Sequence, residues 1–241
     1  MRILVTNDDG IYSPGLRALG DAAASFGEVR VVAPDVEQSS SGHSITSTRP
    51  LSYRPVTVEG MHGFRVNGTP ADCVALGTHN WEKVDLVLSG INMGPNIGNA
   101  LWHSGTLAAA KQAVLLGTRG IALSTPAGGE GPDFKRLAPH VAEVLSLLLG
   151  PGMPPLLNVN FPRDPQGIRW TRQAVQHYDG FVVPGEDPMG RKHFWFTVRP
   201  IEHEEEGTDR WAMRHGFISI TPLRLDLTDE SELKRVTSPG P

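Results

Sequence analysis

Short runs of aliphatic and β-branched residues alternate with amphipathic segments through the first 160 residues of the chain. Apolar runs that are nearly continuous are typical of strands buried on both faces, as in a parallel sheet. They predict strands at 2–6, 29–33, 85–89, 121–124 and 156–160. The segments between them have helical periodicity and predict helices at 14–26, 70–79, 104–117 and 134–149. This alternation predicts a doubly wound, mostly parallel, Rossmann-like α/β fold.

The pattern changes after residue 160, where turn residues become frequent and the strand–helix alternation stops. We therefore predict an α/β core at 1–160 and a β-rich extension at 161–241 that is integrated with this core. The extension is predicted to contain a hairpin within 173–200, a strand at 216–221 and a terminal helix at 228–236.

The predicted hairpin carries the aromatic residues Tyr178, Phe181, Phe194, Trp195 and Phe196. A two-stranded hairpin is at best marginally stable alone, so these side chains need a surface that covers them. Aromatic side chains contribute strongly to subunit interfaces, which favours a homodimer or a dimer of dimers built through this region. The alternative is that the hairpin folds back onto its own α/β domain.

The composition of the chain limits which partners it can bind and which cell compartment suits it. The 241 residues include 22 Lys and Arg against 26 Asp and Glu, for a formal net charge of −4. This balance argues against a nucleic-acid polymer or an anionic membrane as the main partner, because both require clustered basic residues. No apolar run approaches the ~20 residues that span a bilayer, and the N-terminus has no signal-peptide pattern. The single Cys73 excludes an intrachain disulfide, so we predict a cytoplasmic protein.

Two adjacent carboxylates follow the first predicted strand. They are Asp8 and Asp9, and Gly10 supports a turn directly after them. Ligands of open α/β sheets bind at the carboxyl ends of the strands. Neighbouring carboxylates repel each other, and a divalent cation that prefers oxygen ligands relieves this repulsion. An Asx-type turn beside a helix dipole explains the same residues, so both interpretations stay open at this point.

Two further polar loops follow predicted strands. The segment 89–98 contains three glycines, a proline and the amides Asn92 and Asn96, which suit a hard cation or a phosphate. The segment 38–44 offers several hydroxyl groups. Structural turns and a flexible loop are the respective alternatives. No nucleotide-binding glycine motif, nucleophile elbow or H-E-x-x-H zinc motif occurs in the sequence.

A helix start lies downstream of these loops. Ser104, Gly105 and Thr106 open the predicted helix at 104–117. Free backbone N–H groups at a helix start form a natural anion site, although a Ser or Thr at this position is also an ordinary cap.

Taken together, the motifs resemble the survival protein E (SurE) family. The resemblance rests on Asn-Asp-Asp-Gly at 7–10 and Ser-Gly-Ile-Asn-x-Gly-Pro-Asn at 89–96, in that order along the chain. It extends through the segments 3–10, 31–35, 68–73, 104–106 and 216–223. The resemblance implies one divalent cation, Mg²⁺ or Mn²⁺, held by Asp8, Asp9, Ser39 and Asn92. Ser40 and Ser41 directly follow Ser39, and a loop shift of one residue would exchange them.

The resemblance implies a phosphoric monoester hydrolase that converts nucleoside 5′- and 3′-monophosphates into nucleoside and phosphate. We assign Asp8 and Asp9 as catalytic as well as metal ligands, one of them orienting the attacking water. Direct attack by a carboxylate is the alternative. We expect the phosphate to be held by Asn96, Ser104, Gly105 and Thr106, with His43 as an additional candidate contact. A non-catalytic, metal-dependent nucleotide sensor is the competing function.

Overall fold

The computed structural model describes residues 1–129, 131–175, 180–198 and 204–238. Its strands are β1 (Arg2–Thr6), β2 (Glu28–Pro34), β3 (Tyr53–Val58), β4 (Met61–Val66), β5 (Leu86–Met93), β6 (Arg119–Thr125), β7 (Leu156–Asn160), β8 (Ile168–Trp170), β9 (Gly180–Glu186), β10 (Lys192–Val198) and β11 (Ile218–Pro222). Its helices are α1 (Pro14–Ala23), α2 (Pro70–His79), α3 (Gly105–Leu115), α4 (Phe134–Leu148), α5 (Asp209–Arg214) and α6 (Glu230–Thr237), with a 3₁₀ turn at Gly98–Trp102.

Nine strands form one sheet in the order β3-β4-β2-β1-β5-β6-β7-β11-β8. The strands from β4 to β7 in this order are all parallel, whereas β3 and β11 run antiparallel to β4 and β7. The predicted mostly parallel α/β fold is therefore confirmed. Both β8 and β11 come from the C-terminal third of the chain and lie in this same sheet.

Helices cover both faces of the sheet because alternate strand residues point to opposite sides. On one face, Ile3 and Val5 of β1 lie in a buried cluster with residues of α1 and α4. On the other, Leu4 lies in a second buried cluster with residues of α2 and α3. Burial on both faces explains why the central strands have no polar alternation in the sequence.

The sequence pattern predicts no element at the hairpin of β3 and β4, at β8 or at α5. The outer hairpin is partly exposed along both strands and contains Pro55 and Gly63, residues that usually interrupt strands. Gly63 allows β4 to approach β2 closely, because a Cβ at this position would lie only 3.0 Å from the carbonyl oxygen of Val31 in β2. Because this hairpin lies at the sheet edge and contains Pro55 and Gly63, its sequence lacks the apolar pattern that predicts a strand.

The C-terminal hairpin consists of β9 and β10, which pair with each other in antiparallel register. The predicted hairpin is confirmed in this part, while residues 173–175 precede it without strand structure. Residues 176–179 and 199–200 of the predicted strands lie outside the described residues. Phe194, Trp195 and Phe196 of β10 are 68%, 66% and 64% exposed. In the described ranges, no helix has the length and apolar character needed to cross a membrane.

Candidate metal and phosphate site

The chain turns sharply after β1, and the side chain of Asn7 makes this turn. Asn7 Nδ2 donates to the carbonyl oxygen of Gly10 at 2.9 Å, and the Gly10 N–H donates to Asn7 Oδ1 at 3.2 Å. Gly10 has a φ of +96°, which suits glycine. Because Asn7 completes the Asx-type turn, the carboxylates of Asp8 and Asp9 are not needed to form it.

Asp8 is buried, with only 4% of its surface exposed. Its Oδ1 accepts a hydrogen bond from the Thr106 hydroxyl at 2.7 Å, which joins the end of β1 to the start of α3. Burial raises the pKa of Asp8 to about 6; the Thr106 hydrogen bond opposes this shift and the charge of Asp9 adds to it. Gly105 is required beside this carboxylate, since a Cβ there would lie 3.0 Å from Asp8 Oδ2.

Asp9 is less buried and faces the end of β5. Its Oδ2 accepts a hydrogen bond from the Met93 N–H at 3.3 Å. Burial raises the pKa of Asp9, the Met93 hydrogen bond lowers it, and the charge of Glu37 raises it further. Asn92 precedes Met93, and its Nδ2 donates to the carbonyl oxygen of Gly94 at 2.7 Å. The structure therefore brings Asp8, Asp9 and the Asn92 backbone to neighbouring strand ends.

The serine loop also reaches this edge. The Gln38 N–H donates to the carbonyl oxygen of Asp8 at 2.7 Å. Ser39 itself is exposed and donates to Glu37 Oε1 at 2.6 Å. Ser41 Oγ is buried and has no hydrogen-bond partner among the described residues. A Cβ placed on Gly105 would lie 3.1 Å from this oxygen and 3.0 Å from Asp8 Oδ2, so both oxygens face Gly105.

Asn96 is held in a buried polar network. Its Nδ2 donates to Thr106 Oγ1 at 3.3 Å and to Ser124 Oγ at 2.9 Å, and its N–H donates to Asn160 Oδ1 at 2.8 Å. Its carbonyl oxygen accepts from the side-chain amides of Asn158 and Asn160. Both side-chain N–H groups of Asn96 are thus engaged, and its amide supports the Thr106 hydroxyl.

Ser124, Asn158 and Asn160 belong to none of the motifs from which the site was predicted. A signal was present: Asn158 and Asn160 are alternate polar residues at the end of an otherwise aliphatic, fully buried strand. Alternate strand residues share a face, so these two amides point to the same side of β7. Buried amides require partners, and that requirement predicts a polar network beside the strand end.

Ser104 and His43 occupy different surroundings. Ser104 caps α3, because its Oγ accepts a hydrogen bond from the Leu107 N–H at 3.0 Å. The Gly42 N–H donates to the carbonyl oxygen of His103 at 3.1 Å, which holds the serine loop against the start of α3. His43 is exposed, and its Nε2 lies 2.9 Å from Gln112 Oε1 on the side of α3. His43 therefore lies along the helix and not between the carboxylates.

These donors fit a hard divalent cation. Two adjacent carboxylates with raised pKa values would be relieved by a positive charge, and nearby amide and hydroxyl oxygens are ligands that Mg²⁺ and Mn²⁺ accept. The hydroxyl of Ser41, which is buried, faces Gly105 and has no partner among the described residues, is a further oxygen that a bound ion or ligand could satisfy.

We predict that Asp8→Asn stabilises the metal-free protein at neutral pH. The pKa of Asp8 rises on folding from 3.8 to about 6, so folding opposes its ionisation. Wild-type stability should therefore fall relative to Asp8→Asn as pH rises from about 4 to about 6, by on the order of 3 kcal/mol. Thermal unfolding in chelator across this range measures the difference. A difference that does not vary with pH would contradict the prediction.

Asp85→Asn provides a control whose stability relative to wild type should change with pH in the opposite direction. The hydrogen bond from the Arg2 N–H lowers the pKa of Asp85, so its ionised form favours folding. This variant should lose stability relative to wild type as pH rises through the acidic range.

Comparison with known proteins identifies relatives along nearly the whole chain. The model of the family described as Survival protein SurE matches residues 3–180. The 5′-nucleotidase SurE 1 of Thermus thermophilus is 47% identical over 98% of this chain and 97% of its own length. The 5′-nucleotidase SurE of Deinococcus radiodurans is 45% identical over 100% of this chain and 93% of its own.

A solved structure agrees with these sequence relatives. The crystal structure of the SurE protein from Aquifex aeolicus has a TM-score of 0.84 and 40% identity, covering 99% of this chain and 100% of that one. The residues on which the resemblance rests, Asn7 to Gly10 and Ser89 to Asn96, lie within the matched range. The chain belongs to the SurE family.

Proposed function

We propose that the protein is a metal-dependent phosphatase that hydrolyses nucleoside 5′- and 3′-monophosphates to nucleoside and phosphate. The observation that carries this proposal is the pair Asp8 and Asp9 at the carboxyl end of β1, directly against the start of α3. The names of the relatives, 5′-nucleotidases of the same family, support the substrate class.

We propose Asp8, Asp9, Asn92 and Ser39 as ligands of one Mg²⁺ or Mn²⁺ ion. When bound, this ion neutralises charge on the phosphoryl group and polarises it. Ser39 must turn away from Glu37 to reach the carboxylates, whereas the Ser41 hydroxyl and Asp8 Oδ2 already face the same residue, Gly105. Ser41 is therefore the alternative hydroxyl ligand within the same loop.

The phosphate is proposed to lie at the start of α3. The first N–H groups of a helix have no partner within the helix and favour an anion. The Ser104 oxygen accepts from Leu107, which leaves its hydroxyl proton available to a phosphate oxygen. Thr106 gives its hydroxyl proton to Asp8 and its backbone N–H also donates to this carboxylate, so a phosphate bound to Thr106 would compete with Asp8 for these donors. Gly105 permits the phosphate to approach because it has no side chain.

Thr106 and Asn96 position the carboxylate. The Asn96 amide donates to Thr106 Oγ1, and the Thr106 hydroxyl in turn donates to Asp8 Oδ1. This chain keeps Asp8 oriented, while Asp9 is held by the Met93 N–H and is proposed to orient the attacking water.

Phosphate release from nucleoside monophosphates tests the function. We expect turnover with Mg²⁺ or Mn²⁺, none in chelator, and a loss of at least about a hundredfold in Asp8→Asn and Asp9→Asn. Asp21→Asn is the matched control, because Asp21 is a surface carboxylate paired with Arg17. Metal-dependent binding of the nucleotide without turnover in any metal would instead indicate a non-catalytic sensor.

Removal of the Thr106 hydroxyl should weaken metal binding. Thr106→Val keeps the side-chain shape but removes the hydrogen bond that lowers the pKa of Asp8. The pKa of Asp8 should then be higher, so protons compete with the metal for this carboxylate up to a higher pH. We expect about a tenfold rise in the metal concentration that half-saturates the site at pH 6. Isothermal titration with Mn²⁺ measures this change. Thr106→Ser, which retains the hydroxyl, is the control, and equal affinities in both variants would refute the positioning role.

We also propose a cytoplasmic homodimer or homotetramer. The free, buried Cys73 suits a reducing compartment. The exposed aromatic side chains of β10 support assembly through the hairpin, since apolar surface of this kind usually marks a contact.

Trp195→Ala should shift this assembly toward the monomer, and light scattering at micromolar concentration measures it. Leu147→Ala removes an exposed apolar side chain from α4 and should leave the mass unchanged. A wild-type mass near the 26.1 kDa of one chain would contradict the proposal.

A further inference from the structure

Asp209 is a fully buried carboxylate that has no part in the metal and phosphate chemistry proposed above. It is the first residue of α5. Its Oδ2 accepts a hydrogen bond from the Gly98 N–H at 2.9 Å, while its Oδ1 accepts from the N–H groups of Ala174 at 3.0 Å and Arg210 at 2.7 Å. Burial raises the pKa of Asp209, and these three bonds oppose the rise. A buried charge is costly unless such bonds compensate it, and two of the three come from distant segments of the chain.

Two side chains hold the backbone of Gly98 from opposite sides. Asp209 binds its N–H, and Gln173 Nε2 donates to its carbonyl oxygen at 2.9 Å. Gly98 has a φ of +57°, and a Cβ there would lie 3.0 Å from Arg210 Nη2 and 3.1 Å from the carbonyl oxygen of Ala174. A glycine therefore lets the chain fit closely between these groups. We call Asp209 and Gln173 the Gly98 clamp.

The chain before Gly98 is held by the sheet. The N–H of Asn96 donates to Asn160, and its carbonyl oxygen accepts from Asn158 and Asn160 of β7. Asn92 lies on the far side of this anchored residue. A displacement of Gly98 should therefore stop at Asn96 and leave Asn92 in place.

The chain after Gly98 leads directly to the proposed phosphate position. The 3₁₀ turn Gly98–Trp102 is followed by one residue and then by Ser104, which caps α3. Leu101 of this turn lies in one buried cluster with Leu107 of α3, so the turn and the helix start pack as a unit. A displacement of Gly98 should therefore reach Ser104 and Gly105.

We infer that Asp209 is a positioning residue for the phosphate end of the site, and that Gln173 acts with it through Gly98. The inference rests on the proposed function, because that function places the phosphate at the start of α3. A carboxylate suits position 209 because both of its oxygens are acceptors, whereas an amide has one oxygen and one NH₂ donor. The amide orientation that keeps the bonds from Ala174 and Arg210 loses the bond from Gly98.

Two titrations of Asp209→Asn test this role. Isothermal titration measures the affinity for Mn²⁺ alone and then the affinity of the Mn²⁺-loaded protein for inorganic phosphate. We expect phosphate affinity to fall about tenfold and Mn²⁺ affinity to fall by no more than about twofold, because Gly98 loses its bond on the side that leads to α3. Unchanged phosphate affinity, or equal losses of both affinities, would overturn the inference.

Gln173→Leu tests the other half of the Gly98 clamp without altering a buried charge. It removes the donor to the Gly98 carbonyl, and we expect phosphate affinity to fall about threefold with Mn²⁺ affinity unchanged. If Asp209→Asn does not fold, unchanged phosphate affinity in Gln173→Leu overturns the inference.

Thr208→Val is the matched control for damage to the same segment. The Thr208 hydroxyl oxygen caps α5 by accepting from the Trp211 N–H at 3.3 Å, and it has no bond to Gly98. This variant should lower the melting temperature and leave phosphate affinity unchanged. A loss of phosphate affinity as large as that of Asp209→Asn would show that the effect is not specific to Gly98 and would overturn the inference.

These titrations need no turnover, so they separate the role of Asp209 from the proposed function. A wild type that binds phosphate with Mn²⁺, loses affinity in Asp209→Asn and hydrolyses no nucleotide would support the positioning role and reject the hydrolase. A wild type that hydrolyses nucleotides, but whose phosphate affinity is the same in both clamp variants, would support the hydrolase and overturn the positioning role.

Discussion

The hydrogen bond from the Thr106 hydroxyl to Asp8 joins two elements that are 98 residues apart in sequence. It brings the carboxylate at the end of β1 against the start of α3. The positive end of the helix dipole stabilises the negative charge of the carboxylate there. Burial makes ionisation of Asp8 costly, so the site retains its negative charge only with such partners. The proposed metal and phosphate positions both depend on this contact.

The contact is itself supported from the neighbouring strands. Asn96 donates to Thr106 and is held in turn by Asn158 and Asn160 of β7. Buried amides are costly unless they are bonded, and here Asn96, Asn158 and Asn160 bond to one another, although Asn158 Oδ1 has no partner among the described residues. The result is a loop after β5 whose backbone is bound at several points, although it contains the flexible residues Gly94 and Gly98. Rigid placement of this loop is what a metal site on loops requires.

Strand ends and helix sides have separate roles in this fold. The carboxyl ends of β1 and β5 supply acidic and amide groups, as is typical of open α/β sheets. The side of α3 presents apolar side chains and Lys111 to a pocket that Trp102 also lines. The C-terminal strands β8 and β11 extend the same sheet and bring Leu225 toward this side.

The sequence by itself determined the central strands, the four helices that pack on them and the placement of Asp8 and Asp9 at a strand end. These features are local, because burial of a segment is visible in the periodicity of its own apolar residues. Only the tertiary structure decided that Thr106 bonds to Asp8 and that Asn96 bonds to residues of β6 and β7. The same holds for the burial of the Ser41 hydroxyl against Gly105. It also decided that β3 and β4 extend the sheet. These outcomes depend on contacts between distant segments, and the periodicity of one segment carries no information about the partner that another segment brings to it.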